Sequence, residues 1–227
     1  MQKFDCIVSL TTWSGRINNP DVCKVLYSII RQKTKYKYKI VLVLSEVEFP
    51  THEIPELVQL LIECGNIEVI WTPDNLKAYK KYYYTRQKYP DAIIITTDDD
   101  ILLTQDAIEK MMDFYQQHKG CICAQHTHKF ENSSEIVAGW FRLYPPNTML
   151  DVDKIFFEKC FNSIEDDVYN AILASLKHTK TVQTPFIVAK ELSGSLQDCA
   201  FRKVYAKTNP HDAKKRLMYA LNVAEII

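Results

Sequence analysis

The stretch "IIITTDDDILL", residues 93–103, sets Asp98, Asp99 and Asp100 side by side between two apolar runs. Neighbouring carboxylates repel by roughly 4 kcal/mol per pair at about 4 Å and an effective dielectric near 20. On a solvated turn water screens that repulsion, but at the end of a buried strand it calls for a cation. In an extended segment Asp98 and Asp100 point to one face and Asp99 to the other. The resulting D-x-D offers two carboxylates to one hard divalent ion, Mn2+ or Mg2+. Such an ion typically takes one or two protein carboxylates and completes its shell with water and substrate phosphate, so a nucleotide diphosphate is the expected ligand. An EF-hand is excluded, because "DDDILLTQDAIE" lacks the required Gly and Glu positions. The plainer alternative is that the acids lead into a helix starting near Thr104, since acids favour helix N-termini. That accounts for one Asp better than for three.

Other residue types invite chemistry. Glu165, Asp166 and Asp167 open a helical pattern, where acids stabilise the macrodipole by about 0.3–1 kcal/mol each. On a helix Asp166 and Asp167 project about 100° apart, so one of them faces any given ligand. Thr11, Thr12 and Arg16 follow the first apolar run, and a guanidinium fork suits a phosphate or planar acceptor. The same stretch also reads as an exposed turn. Asp74 ends another run, and Lys77 opens the next helix, where an ammonium could meet a diphosphate. Lys80 and Lys81, one turn on, read as solvated. Gly139, Trp140 and Arg142 lie beside a Pro-Pro corner. Trp140 has a flat face that suits a sugar ring, or it is a core residue. His126 and His128 share a strand face with no acid or Cys nearby, and Cys121-x-Cys123 lacks the second pair of a zinc site.

The elements that must position these groups alternate. Residues 4–10, 40–45, 67–72 and 92–97 read as apolar strands. Helical spacing marks 21–33, where Val22, Val25, Leu26, Ile29 and Ile30 share a face. It also marks 55–65, between Pro55 and Gly65, together with 76–88 and 104–117. Near-continuous apolar strands imply burial on both faces, hence an α/β fold with a mainly parallel sheet flanked by helices. Ligands bind outside the carboxyl ends of such strands, and the triplet lies at one. The second half is less regular: strands at 121–128 and 135–146 around a turn at 131–134, a short helix at 153–161, a helix at 165–177, a strand at 181–186, and a helical tail from Leu196 broken at Asn209-Pro210.

Five stretches now stand in order: "VSLTTWSGRI" (8–17), "NLKAYKKYY" (75–83), "ITTDDDILL" (95–103), "AGWFRLYPPNTML" (138–150) and "IEDDVYNAI" (164–172). Over about residues 4–180 the chain resembles GT-A glycosyltransferases, and more closely bacterial family 2-like enzymes that build surface polysaccharide. The resemblance implies one GT-A, Rossmann-like domain over 1–227, with a nucleotide-sugar half to about 117 and a smaller acceptor-side mixed region beyond. It implies inverting, metal-dependent transfer of a hexose from a nucleotide sugar, UDP-linked, to a saccharide or lipid-linked saccharide. By this resemblance Thr11, Thr12, Arg16, Glu46, Asp74, Lys77, Asp98 and Asp99 hold the nucleotide. Asp98 and Asp100, with His211, hold the metal, and Gly139, Trp140 and Arg142 meet donor and acceptor sugars. Asp166 is the base, with Asp167 beside it as the alternative. Similar proteins carry a second Gly where this chain has Trp140 or Phe141, so an aromatic platform replaces backbone contacts. The other classes left open are a sugar-nucleotide nucleotidyltransferase, which opens with a Gly-rich loop where this chain has only Gly15, and a non-catalytic carbohydrate-binding protein.

The bulk numbers bound these readings. The 227 residues carry 28 basic and 28 acidic groups and are 47% hydrophobic. That supports one sizeable core and demands no nucleic-acid partner. Seven cysteines, odd in number and irregular in spacing, read as mostly buried thiols in a reducing compartment. No charged-then-apolar leader opens the chain, and no apolar run approaches the roughly 20 residues of a membrane span. A soluble, cytoplasmic protein is expected. The basic run at 31–39 allows peripheral contact with anionic lipid on the inner membrane face, or is simply solvated.

Overall fold

The computed structural model describes residues 4–130, 135–161, 166–192 and 209–227. Four strands, β1 (Cys6–Thr11), β2 (Tyr38–Ser45), β3 (Glu68–Thr72) and β4 (Ile94–Thr96), run parallel in the order β3-β2-β1-β4. Helices α1 (Pro20–Ile30), α2 (Glu56–Cys64) and α3 (Lys80–Lys88) supply the crossovers. The start of α1 is set by Asn19, whose side chain accepts from the Asp21 amide, and by Pro20 in the first turn. Gly65 ends α2 because a Cβ there would lie 2.7 Å from the Ile30 side chain and 2.8 Å from the Leu61 carbonyl oxygen.

The sheet continues through β7 (Ile136–Tyr144), antiparallel to β4, then β6 (Ile122–Lys129) and β8 (Thr181–Gln183), seven strands in all. A separate two-stranded ladder pairs β5 (Ile101–Leu103), which follows the acidic triplet, with β9 (Ala189–Glu191). The remaining helices are α4 (Ala107–Gln117), the short α5 (Lys154–Phe156) running into a π-helical turn at Phe157–Phe161, α6 (Asp166–Leu176) and α7 (Pro210–Val223).

Successive strand residues enter opposite cores. Val8, Leu42, Leu44 and Ile95 join the helices α1, α2 and α4, whereas Ile7, Val41, Val43 and Ile94 join α3, α6 and α7. This two-sided burial explains the unbroken apolar runs. Each such side chain contributes about 1.5–3 kcal/mol.

Some expectations are corrected. The stretch after the triplet is a strand before it is a helix, so α4 starts at Ala107. A 3-10 turn at Lys77–Tyr79 precedes α3. Asn209 and Pro210 begin α7, where the Asn209 side chain accepts from the His211 amide. The expected helix from Leu196, the turn at 131–134, Glu165 and Cys199 lie outside the described residues. The cysteines are not mostly buried: of six described thiols, all free, Cys6 and Cys123 are buried and Cys64 is exposed. Within the basic run, Lys35 pairs with Asp113 and Lys39 with Glu68. Among the described residues, no helix is long and apolar enough to cross a membrane.

Candidate active site

The carboxyl ends of β1, β2, β3 and β4 share one edge, and the acidic triplet follows β4 there. Asp99 and Asp100 share one guanidinium, and Asp98 meets two other cations. Asp99 accepts from Thr12 Oγ1 at 2.6 Å and is ion-paired with Arg16. Arg16 reaches it because the loop after β1 folds back, its amide donating to the Trp13 carbonyl at 2.9 Å. The same guanidinium lies 3.4 Å from Asp100 Oδ2. Burial works to lower the Arg16 pKa, but Asp99 and Asp100 outweigh it and raise it.

Asp98 faces two cations from other elements. Lys81 Nζ, on α3, donates to Asp98 Oδ1 at 2.7 Å, and Arg142 Nη2, on β7, at 3.2 Å. Both cations are only 1% exposed. They also reach the start of α6: Lys81 Nζ is 3.1 Å from Asp166 Oδ2, and Arg142 Nη1 is 3.7 Å from Asp166 and 3.9 Å from Asp167. Ser9 fixes α3 to β1, its hydroxyl donating to the Lys81 carbonyl at 2.7 Å and sharing a hydrogen bond with Thr85 at 2.8 Å. The strand-end and helix-start acids thus meet across a buried clamp.

The electrostatics are uneven. Burial opposes ionisation of Asp98, yet Lys81 and Arg142 prevail and lower its pKa. Burial, with Asp98 beside it, raises Asp99 despite Arg16. Asp100 is pushed up to about 6 by burial, Asp98 and Asp99, which outweigh the Arg16 guanidinium. Asp167 also rises to about 6, through burial and Asp166. Asp166 Oδ2 sits within ion-pair range of Lys81 but lacks a hydrogen bond.

Of the expected site residues, Thr12, Arg16, Asp98, Asp99, Asp100, Arg142, Asp166 and Asp167 join in this constellation. Others line the same edge with different partners. Thr11 donates to the Val43 carbonyl at 2.6 Å. Glu46 is half-buried and lies 3.1 Å from His52 Nε2, whose ring stacks on Trp71 at 4.0 Å. Asp74 accepts from the Tyr84 hydroxyl at 2.6 Å and is ion-paired with Lys154. Lys77 has φ +53° and its amide donates to Asn75 Oδ1 at 3.0 Å. Gly139 is uncrowded, since a Cβ there would meet only the His126 Cβ at 3.8 Å. Trp140 adopts φ +63° opposite an irregularity between Ala124 and His126, with its ring edge-on to His126 at 4.2 Å.

Two expectations change. Lys80 and Lys81 are buried, not solvated: Lys80 pairs with Glu48 at 3.2 Å, and Lys81 completes the clamp. Their signal was present only as two adjacent lysines one turn into a helix, with the partner acids far away in sequence. His211 stacks on Phe130 at 4.7 Å at the start of α7. Among the described residues no three His, Cys, Asp or Glu side chains converge as a metal cage, so Asp98, Asp100 and His211 are not gathered into one. A divalent ion of the Mg2+ class needs only one or two carboxylates. Asp100, whose proton affinity is raised by neighbouring acids, fits that requirement, with Asp98 beside it.

Comparison with known proteins places this geometry. The family model for glycosyl transferase family 2 matches residues 17–172. A search of curated protein sequences finds no match. Among solved structures, a mannosyltransferase from Pyrobaculum calidifontis, PcManGT, in complex with GDP-Man and Mn2+, superposes with TM-score 0.60 at 14% identity, covering 96% of this chain and 69% of its own. S. aureus TarS 1–349 in complex with UDP-GlcNAc gives TM-score 0.53 at 11% identity, covering 96% and 72%. Its complex with UDP gives 0.55 at 12%, covering 96% and 71%. The family match covers more than half of the sequence and the solved structures share the fold: the chain belongs to glycosyl transferase family 2 and is a GT-A glycosyltransferase.

Proposed function

We propose that the chain is a metal-dependent, inverting hexosyltransferase that moves a hexose from a UDP-linked donor to a saccharide or lipid-linked saccharide acceptor, in bacterial surface polysaccharide synthesis on the cytoplasmic side of the membrane. The observation that carries the reading is the clamp. Lys81 and Arg142 tie Asp98, at the diphosphate end, to Asp166, at the acceptor end. A nucleotide-sugar donor is supported by the GDP-Man and UDP-GlcNAc complexes of the two structural neighbours.

The chain's own groups have separable roles. Asp166 takes the proton from the acceptor hydroxyl as that oxygen attacks the anomeric carbon. The bond from that carbon to the diphosphate oxygen breaks, and its electron pair leaves on the nucleotide. Arg16 and Thr12 hold Asp99 and so fix the nucleotide loop. Thr11, Glu46, Asp74 and Lys77 lie along the edge where base, ribose and phosphates would run. Gly139 and Trp140 border the sugar, while Arg142 orients the acids. Asp100, with Asp98, would hold a divalent ion, which when bound would neutralise charge on the departing diphosphate. The nucleotidyltransferase alternative lacks its loop: a Cβ on Gly15 would strike the Trp13 ring at 2.4 Å, so that glycine serves packing.

Proton NMR of the first product formed tests inversion. An anomeric configuration opposite to the donor's is expected, and a retained configuration would contradict the role of Asp166 as a base.

A further inference from the structure

A cavity of about 340 Å³ lies between α3, the 145–152 segment and α6, and the transfer chemistry makes no use of it. That volume lies within the range of small-molecule sites, about 300–1,000 Å³. Gln87, on its rim, is six residues beyond Lys81, or about 9 Å along the helix at 1.5 Å per residue.

The walls are fixed before any ligand arrives. Arg86 uses every donor of its guanidinium internally: Nε on the Tyr82 hydroxyl, Nη1 on the carbonyls of Pro90 and Ala92, and Nη2 on those of Tyr144 and Pro145. That locks the end of α3 to the turn after β7. The Leu150 amide donates to the Leu173 carbonyl at 3.0 Å, which joins the same segment to α6.

The lining selects a class of ligand. Tyr83 presents a partly exposed ring backed by the buried Tyr79 and Tyr82, and Asn147, Gln87 and Asp151 present planar polar groups. Among the described residues of the lining the one cation, Arg86, has no donor to spare, and Asp151 repels anions, so phosphates are disfavoured. Amide and carboxylate groups around the rim would be left unpaired by a lipid tail. A ligand with a flat apolar face and many hydroxyls satisfies both sets of groups, because aromatic rings stack on it while amides and carboxylates bond its edge.

We propose that this cleft is a binding subsite for a neutral saccharide, holding a remote part of the acceptor chain one to two helical turns from the catalytic clamp. The proposal rests on the transferase reading only for the identity of that saccharide as acceptor.

Saturation-transfer NMR with glucose, galactose, mannose, maltotriose, cellotriose and triacetylchitotriose, without nucleotide or metal, tests it. Inorganic phosphate and farnesol serve as the anionic and lipid probes. At least one neutral sugar should bind. Its affinity should fall about fivefold to tenfold in Tyr83→Ala, should fall in the surface variant Asp151→Ala, and should hold in Asp166→Asn. Absence of saccharide binding would overturn the proposal. So would binding that depends on Trp140 and not on Tyr83 and Asp151, or binding of phosphate or farnesol alone. Failure of the donor chemistry would show separately, as absence of nucleotide release.

Discussion

Lys81 and Arg142 are buried cations that face acids from β4 and α6 at once, and such groups are costly to leave unmatched. Lys81→Met strands Asp98 and Asp166, so it should destabilise the fold by about 3–5 kcal/mol, read by denaturant unfolding. Asp166→Asn keeps the shape and removes the proton acceptor. Turnover should fall on the order of 10²–10⁴-fold with donor KM held, measured by steady-state kinetics with an acceptor. Asp167 gives a pH signature. Its folded pKa, about 6, lies above the ordinary carboxylate value. The protonated form is therefore favoured by folding, and that contribution, full below pH 4, is lost as pH rises through 6. Asp167→Asn should melt a few degrees higher than the parent at pH 8, with the gap closing towards pH 4 in thermal unfolding. The triplet was legible in the sequence because three identical charges at a strand end need an explanation. Lys80 and Lys81 were not, because α3 reads "KKYYYTRQK" with no clear apolar face, and the acids that bury its lysines arrive from β2, β4 and α6.

At the scale of elements, periodicity served where runs were long. Strands β1, β2 and β3 and helices α1 and α2 follow from two-sided burial and from caps at Asn19 and Gly65. Strands β5 and β9, three residues each, carry no period, since pairing between Leu103 and Ala189 defines them. The β6–β7 hairpin was legible as strands, but its irregularity at Ala124 and His126 was not, because a bulge is set by the partner strand. Trp140 sits there in a left-handed conformation that costs an L-residue roughly 1–2 kcal/mol. The strain coincides with the residue expected at the sugar. Trp140→Gly relieves that strain but loses the ring's packing against the core, so its test is catalytic: acceptor-dependent turnover should drop while donor hydrolysis persists, read by comparing the two rates.

For the whole molecule, the parallel order β3-β2-β1-β4 delivers four loops to one edge, and antiparallel β7 returns Arg142 to the same place. Neither outcome is visible in any single segment. It is the topology that makes residues from five elements, the loop after β1, the end of β4, α3, β7 and α6, one site. The measurement that tests this most directly is release of free nucleotide from a panel of nucleotide sugars, with Mn2+, Mg2+ or chelator, in the parent and in Asp100→Ala. Release from one donor, dependent on metal and lost in Asp100→Ala, is the predicted result. Absence of binding and release with every donor, with or without metal, would contradict the account and reduce the triplet to a charged strand end on a shared fold.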